Sequence, residues 1–147
     1  MEEVLKASLS SGGVARVTFR GHVTLDSLVG EFQRARAIVL PSYAEGFSLT
    51  PLHAMAAGCP TVYTRRGSGP EVIEDGRDGL LVDPDDPPGI AAAIVRLLRD
   101  DALAARLGAA GRETVRRRFS SAALTVANAA FYRSCLARTS GERSEAA

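Results

Sequence analysis

Glu45, Ser48, Thr50 and His53 fall in one short stretch, with Gly46 and Phe47 between the acid and the first hydroxyl. Their types suit an anion flanked by hydroxyl groups: a carboxylate accepts hydrogen bonds, a hydroxyl caps or donates, and an imidazole does either. The stretch follows Ala37-Ile38-Val39-Leu40, an apolar run stopped by Pro41, and leads into small and apolar residues from Leu49 to Ala57. A strand, a turn and a helix are expected in that order. The first N–H groups of a helix lack intrahelical acceptors and sit at the positive end of its dipole. Gly46-Phe47-Ser48-Leu49 is therefore a candidate cradle for a phosphate, and Gly46 lets the backbone come close to it. Ser48 or Thr50 also reads as the helix cap, with Pro51 in the first turn; capping and anion binding are compatible.

The elements that must position this stretch follow from periodicity. Val14 to Phe19 is β-rich and closed by Gly21, so it is expected as a first strand. Leu25, Leu28, Val29 and Phe32 recur at helical spacing, which predicts a helix from about Asp26 to Arg36. Ala37 to Leu40 is the second strand, Pro60 to Thr64 the third and Gly79 to Val82 the fourth, with Gly58 stopping the helix before the third. A short helical turn is expected near Pro70 to Glu74. Asp86 reads as an N-cap with Pro87 and Pro88 just inside, and Ile90, Ile94, Leu97 and Leu98 form that helix's buried stripe. Leu103, Leu107, Ala110 and Val115 mark another helix. Ser120 or Ser121 opens a last one through Leu124, Ala127, Phe131 and Cys135. The reading is one domain over residues 1–138 and a polar disordered tail over 139–147. Strands alternating with helices imply a mostly parallel sheet, whose ligands bind beyond the carboxyl ends of its strands. The loops after Phe19, Leu40, Thr64 and Val82 are where function is expected.

Composition closes off other classes. Of 147 residues, 18 are Lys or Arg and 17 are Asp or Glu, a net charge of +1 that gives no basic field for nucleic acid. Cys59 and Cys135 lie far apart and fit no metal-ligand spacing, so both are expected as reduced thiols. Met1-Glu2-Glu3 lacks the basic start of a signal peptide, and no apolar run nears the roughly 20 residues that cross a bilayer. A cytoplasmic protein without a transmembrane segment is expected.

Three segments together resemble a known family. The first is Val17-Thr18-Phe19-Arg20-Gly21-His22-Val23. The second runs Pro41-Ser42-Tyr43-Ala44-Glu45-Gly46-Phe47-Ser48-Leu49-Thr50-Pro51-Leu52-His53-Ala54-Met55-Ala56-Ala57-Gly58-Cys59-Pro60-Thr61-Val62. The third is Gly67-Ser68-Gly69-Pro70-Glu71-Val72-Ile73-Glu74-Asp75-Gly76-Arg77-Asp78-Gly79-Leu80-Leu81-Val82. They resemble the nucleotide-sugar half of a retaining glycosyltransferase of family 4, the group 1 glycosyl transferases with the GT-B fold, in consistent order from about Val14 to Phe119. The resemblance implies an α/β fold: a Rossmann-like parallel sheet of about four strands with flanking and C-terminal helices.

It also implies a nucleotide-diphosphate (NDP) sugar as donor, with no metal or other cofactor. Gly46, Phe47, Ser48 and Leu49 would hold the diphosphate, whose charge grows as the glycosidic bond breaks, and Thr50 is a further substrate-binding residue. Glu45 would lie beside the donor sugar as the catalytic residue, bonding its hydroxyls or supporting the positively charged ring; on position alone it reads as a solvated loop glutamate, and the surrounding motif reverses that reading. Gly21 and Val23 would seat the nucleobase, with His22 a loop residue. His53 stands where the family usually has a second Glu on the ribose, and where glycogen and starch synthases have Tyr. It reads either as a ribose ligand or as a packed structural histidine. Asp83-Pro84-Asp85-Asp86 fits a turn and helix cap better than a metal clamp. Arg65 and Arg66 read as a solvated pair, with a phosphate or a partner as the other reading.

The same resemblance implies missing parts: the acceptor domain, and two earlier strands whose following loop carries an Arg and a Lys that grip the diphosphate. Lys6, on a helix end, does not replace them. The first strand is expected either to shift and pair directly with the second or to leave a poorly packed edge. A separate chain that supplies the absent acceptor domain and strands is one expected partner. Two functions stay open: an NDP-sugar-binding part of a hexosyltransferase, inactive alone, and a non-catalytic GT-B-like binding or subunit-pairing module.

Overall fold

Each of three short apolar runs becomes a strand, because β-branched and apolar side chains suit a sheet covered on both faces. The structure, a computed structural model, describes residues 2–144. Two short helices, α1 (Glu2–Ser8) and α2 (Ser11–Val14), precede α3 (Leu25–Arg34). Then come β1 (Ile38–Leu40), α4 (Leu49–Ala56), β2 (Thr61–Thr64), α5 (Gly69–Val72) and β3 (Leu80–Val82). The chain ends in α6 (Pro87–Arg99), α7 (Asp101–Arg118) and α8 (Ser121–Ser144). The strands form one parallel sheet in the order β1-β2-β3, with Val39 beside Val62 and Tyr63 beside Leu81.

Alternation along the strands divides the core into two layers. Val39, Val62, Leu80 and Val82 pack with Ile90 and Leu97 of α6 and with Leu103 and Leu107 of α7. Leu40, Tyr63 and Leu81 pack on the other face with Leu52, Met55, Val72 and Ile73, joined by Val115 and Phe119 from the end of α7. Phe32 of α3 closes that layer with Ile38, Ala54 and Cys59. Burial pushes the Cys59 thiol above its ordinary pKa, which keeps it protonated.

Gly58 and Asp86 stop and start helices as the sequence signals. Gly58, at φ 82°, ends α4: its N–H donates to Met55 O, and the Cys59 N–H donates to Ala54 O. Those two bonds are a Schellman closure, and its left-handed residue suits glycine. The Asp86 carboxylate accepts from Gly89 N–H at 3.0 Å, with Pro87 and Pro88 in the first turn of α6.

One expected strand does not form, so the sheet has three strands and not about four. α2 ends at Val14, and residues 17–20 are irregular. Their β propensity is not enough without a ladder partner, and they do not shift to pair with β1. The two edges of the sheet consequently differ. On β3, the Leu81 N–H donates to Asp75 at 2.9 Å, and Arg65 donates to the Leu81 carbonyl at 3.0 Å. Those side chains occupy the edge as a further strand would. On β1, Ile38 bonds toward β2 through its N–H to Pro60 O. By the alternation of a parallel ladder, Val39 turns its N–H and C=O outward. A hollow lined by Thr18, Arg20, Glu31, Phe32 and Ile38 lies beside that edge.

α8 continues to Ser144, through most of the stretch expected as a disordered tail; residues 145–147 lie outside the described residues. Leu124, Val126, Phe131 and Tyr132 on it are exposed. No helix among the described residues is long and apolar enough to cross a membrane.

α7 locks the layers together by close approach. A Cβ at Gly108 would lie 2.3 Å from Gly58 O. Buried Asp78 accepts from Thr114 Oγ1 at 2.7 Å and from the Glu74 N–H at 2.8 Å. Gly108→Ala forces this contact apart, and Thr114→Val removes one partner of a buried carboxylate. Each should lower unfolding free energy by about 1–3 kcal/mol in denaturant titrations. An unchanged midpoint in both would contradict this packing.

Candidate functional site

β1 delivers the chain to the carboxyl end of the sheet, where Pro41 stops the ladder and residues 41–48 turn back into α4. Ser48 caps the helix from extended backbone, and its Oγ accepts from the Thr50 N–H at 3.4 Å. The N–H groups of Gly46, Phe47, Ser48 and Leu49 close no hydrogen bond to protein among the described residues. Gly46, Phe47 and Leu49 are exposed, and nothing lies within 4 Å of the place where a Cβ at Gly46 would sit. A bound anion therefore has donors, dipole and room at this turn.

α4 buries Pro51, Leu52, Ala54 and Met55. Leu49 and His53 consequently share its outer face, one turn apart. His53 is half-buried there. Thr50 is half-buried, its N–H engaged by Ser48. Phe47 leans on the end of α7, its ring 6.2 Å from that of Phe119, and the Arg118 guanidinium lies 4.9 Å over the latter.

Glu45 is held from below. At Gly67, with φ 57°, a Cβ would come within 2.2 Å of the Glu45 carbonyl oxygen. The loop after β2 thus supports the loop after β1, and only glycine fits. Tyr63 of β2 sits under the same place, fully buried. Burial pushes its phenol above the ordinary range, opposed by the Ser68 hydroxyl, raised further by the Glu45 charge and opposed by the Ser48 amide.

The cations nearby are already engaged. Arg66 lies 5.8 Å over the Tyr43 ring and pairs with Asp83 at 3.2 Å and with Asp85. Arg65 serves the β3 edge and faces Asp75 at 3.5 Å. Lys6 pairs with Glu2 at 2.6 Å and covers the Phe19 ring. Asp83, Asp85 and Asp86 are thus a turn and a cap, and no group of three His, Cys, Asp or Glu among the described residues could hold a metal ion.

Of the sequence-expected residues, Glu45, Gly46, Phe47, Ser48, Leu49, Thr50 and His53 come together at the α4 turn. Gly21 and Val23 lie before α3, which Thr24 caps. No hydrogen bond or ion pair among the described residues joins them to that turn. Sequence reasoning did not single out Gly67, Ser68 and Tyr63 as site residues. The signals were a phenol inside a buried strand and a serine between two glycines.

A three-stranded parallel sheet with helices on both faces, and an open amide turn at a strand's carboxyl end, defines a Rossmann-like α/β domain. The family model of the group 1 glycosyl transferases matches residues 1–100. D-inositol 3-phosphate glycosyltransferase of Corynebacterium jeikeium is 40% identical over 97 residues, 65% of this chain and 23% of that protein. Sucrose-phosphate synthase from Thermosynechococcus elongatus superposes with a TM-score of 0.81 at 34% identity, covering 93% of this chain and 34% of that one. The C-terminal domain of a group 1 family glycosyl transferase (LpcC) from Francisella tularensis gives a TM-score of 0.71 at 28% identity, covering 82% of this chain and 63% of that one. The chain belongs to the group 1 glycosyl transferases and has the fold of a GT-B C-terminal domain. It spans about a quarter of the length of curated relatives that it matches.

Two tests follow. Gly67→Ala should lower stability by about 1–3 kcal/mol, read as a melting-temperature drop of several degrees; an unchanged melting temperature would refute the support under Glu45. The raised Tyr63 phenol stays protonated in the folded chain while the unfolded chain loses that proton near pH 10. The stability it contributes is complete below that pH and is lost as pH rises through the folded value. Denaturant unfolding between pH 9 and about 11.5 should show a steeper loss in wild type than in Tyr63→Phe; equal losses would contradict the shift.

Proposed function

We propose that the chain is the NDP-sugar-binding part of a retaining glycosyltransferase. The observation that carries this reading is the set of open N–H groups at Gly46, Phe47, Ser48 and Leu49, placed at the carboxyl end of a parallel strand. A diphosphate seated there gains stabilisation as it departs with negative charge, where preorganised donors act most strongly on a transition state. Glu45, next to that turn, takes the sugar hydroxyls or supports the positively charged ring. His53, one turn along the same face, takes the ribose, and Thr50 completes the cradle. Gly21 and Val23 take the base once the segment before α3 is ordered against it. The complete enzyme moves a hexosyl group to a hydroxyl acceptor and needs no metal for donor binding.

Transfer requires an acceptor site, and the relatives are several times longer than this chain. In the complete enzyme an acceptor domain, and strands against the open edge of β1, complete the site. Supporting this are the outward Val39 peptide groups and the hollow beside them. A second reading, a non-catalytic binding or subunit-pairing module, is favoured by one observation: Arg65, Arg66 and Lys6 are all committed to protein carboxylates.

Thermal shift with UDP, GDP and UDP-glucose separates the two. A nucleotide at 100 times its Kd should add about 2.7 kcal/mol of stability. Glu45→Gln should leave the response to the free nucleotide unchanged and weaken the added effect of the sugar. No shift with any of the three compounds would favour the non-catalytic module.

A further inference from the structure

Two hydroxyls under the α4 turn are buried without a hydrogen-bond partner, Tyr63 Oη and Ser68 Oγ. Tyr63 is fully enclosed and Ser68 is only 4% exposed. The rest of the buried polar set is satisfied. Thr61 donates to Cys59 O at 3.1 Å, Thr64 Oγ1 accepts from the Arg66 N–H at 3.1 Å, and Asp78 and Thr114 serve each other. Ser68 precedes α5, yet its side chain makes no cap bond. The Tyr63 phenol faces the Ser68 hydroxyl, the Ser48 N–H and the Glu45 charge, and closes a bond with none of them.

An enclosed hydroxyl without a partner is costly, and two in one place are an exception that calls for a ligand or a water. Three donors, two O–H and one N–H, converge here, beside the open N–H groups of Gly46, Phe47 and Leu49. That set suits an acceptor without protons of its own, which a phosphate oxygen is. Access runs through residues 46–47: both are exposed, and open space surrounds Gly46.

We infer that Tyr63 and Ser68 are binding residues of the donor site, giving their O–H groups to a phosphate oxygen at the start of α4 when residues 46–47 shift outward. This inference rests on the donor-binding reading above and adds to it a pair of side-chain donors that reads phosphate. The pair replaces part of the cation grip that Arg65, Arg66 and Lys6 do not supply.

The test uses the full chain as wild type, Tyr63→Phe and Ser68→Ala. Each is melted without ligand and titrated calorimetrically with UDP, GDP and inorganic pyrophosphate. Ligand-free variants should melt at or above the wild-type temperature, since each loses an unpartnered hydroxyl and Phe keeps the ring packing. Both should bind pyrophosphate, and whichever nucleotide the wild type binds, about tenfold more weakly, the worth of one hydrogen bond to an anion. Variants that bind as tightly as wild type overturn the inference and leave donor binding standing. Variants that melt lower with binding unchanged also overturn it, because the pair then serves a structural water. A wild type that binds none of the three compounds fails the donor reading itself, and this inference with it.

Discussion

Three strands running the same way leave their carboxyl ends on one side of the sheet, and the contacts around the α4 turn depend on that. Residues 41–48, 65–68 and 83–86 are distant in sequence but must share one rim. The contacts across the rim are specific. Gly67 admits the Glu45 carbonyl, Arg66 ties Asp83 and Asp85 to the Tyr43 ring, and Tyr63 reaches up from β2 under the α4 cap. The turn that opens α4 is therefore a platform carried by two neighbouring loops. Its N–H groups stay open because Pro51 and the Ser48 cap direct the chain into the helix without covering them.

The two sheet edges show how the same physics serves stability and assembly. Unpaired strand edges invite association unless they are blocked. On β3, Arg65 and Asp75 bond the Leu81 peptide groups and close the edge with side chains. On β1, no side chain among the described residues covers Val39 in that way, and the β-rich residues 17–20 remain outside the ladder. The chain spans a third or less of the length of curated relatives that it matches. On α8, Leu124, Val126, Phe131 and Tyr132 are exposed.

Much of this was legible because it is local. The apolar runs at 37–40, 60–64 and 79–82 mark three strands in place. Gly58 and Asp86 marked a helix stop and a helix start through capping chemistry that acts within a few residues. The candidate turn was legible for the same reason, since strand, Gly46, Ser48 and Leu49 are consecutive. The strand expected over 14–19 failed because β propensity describes fit to a sheet, and no partner strand stands beside it. Tyr63, Ser68 and Gly67 escaped notice because their importance arises only in the tertiary register, where β2 and its loop pass beneath Glu45. Arg65 and Arg66 likewise found their partners across the sheet, in Asp75, Asp83 and Asp85.

The central claim is that open amides at the start of α4 form the anion cradle. Backbone amide NMR during titration with inorganic pyrophosphate, and separately with UDP and GDP, reads those groups one by one. The account predicts that the largest saturable shifts fall on Gly46, Phe47, Ser48 and Leu49, with smaller ones at Ser68. Shifts confined to the Arg65 and Asp75 edge of β3, or no saturable shift at the α4 turn, would contradict it.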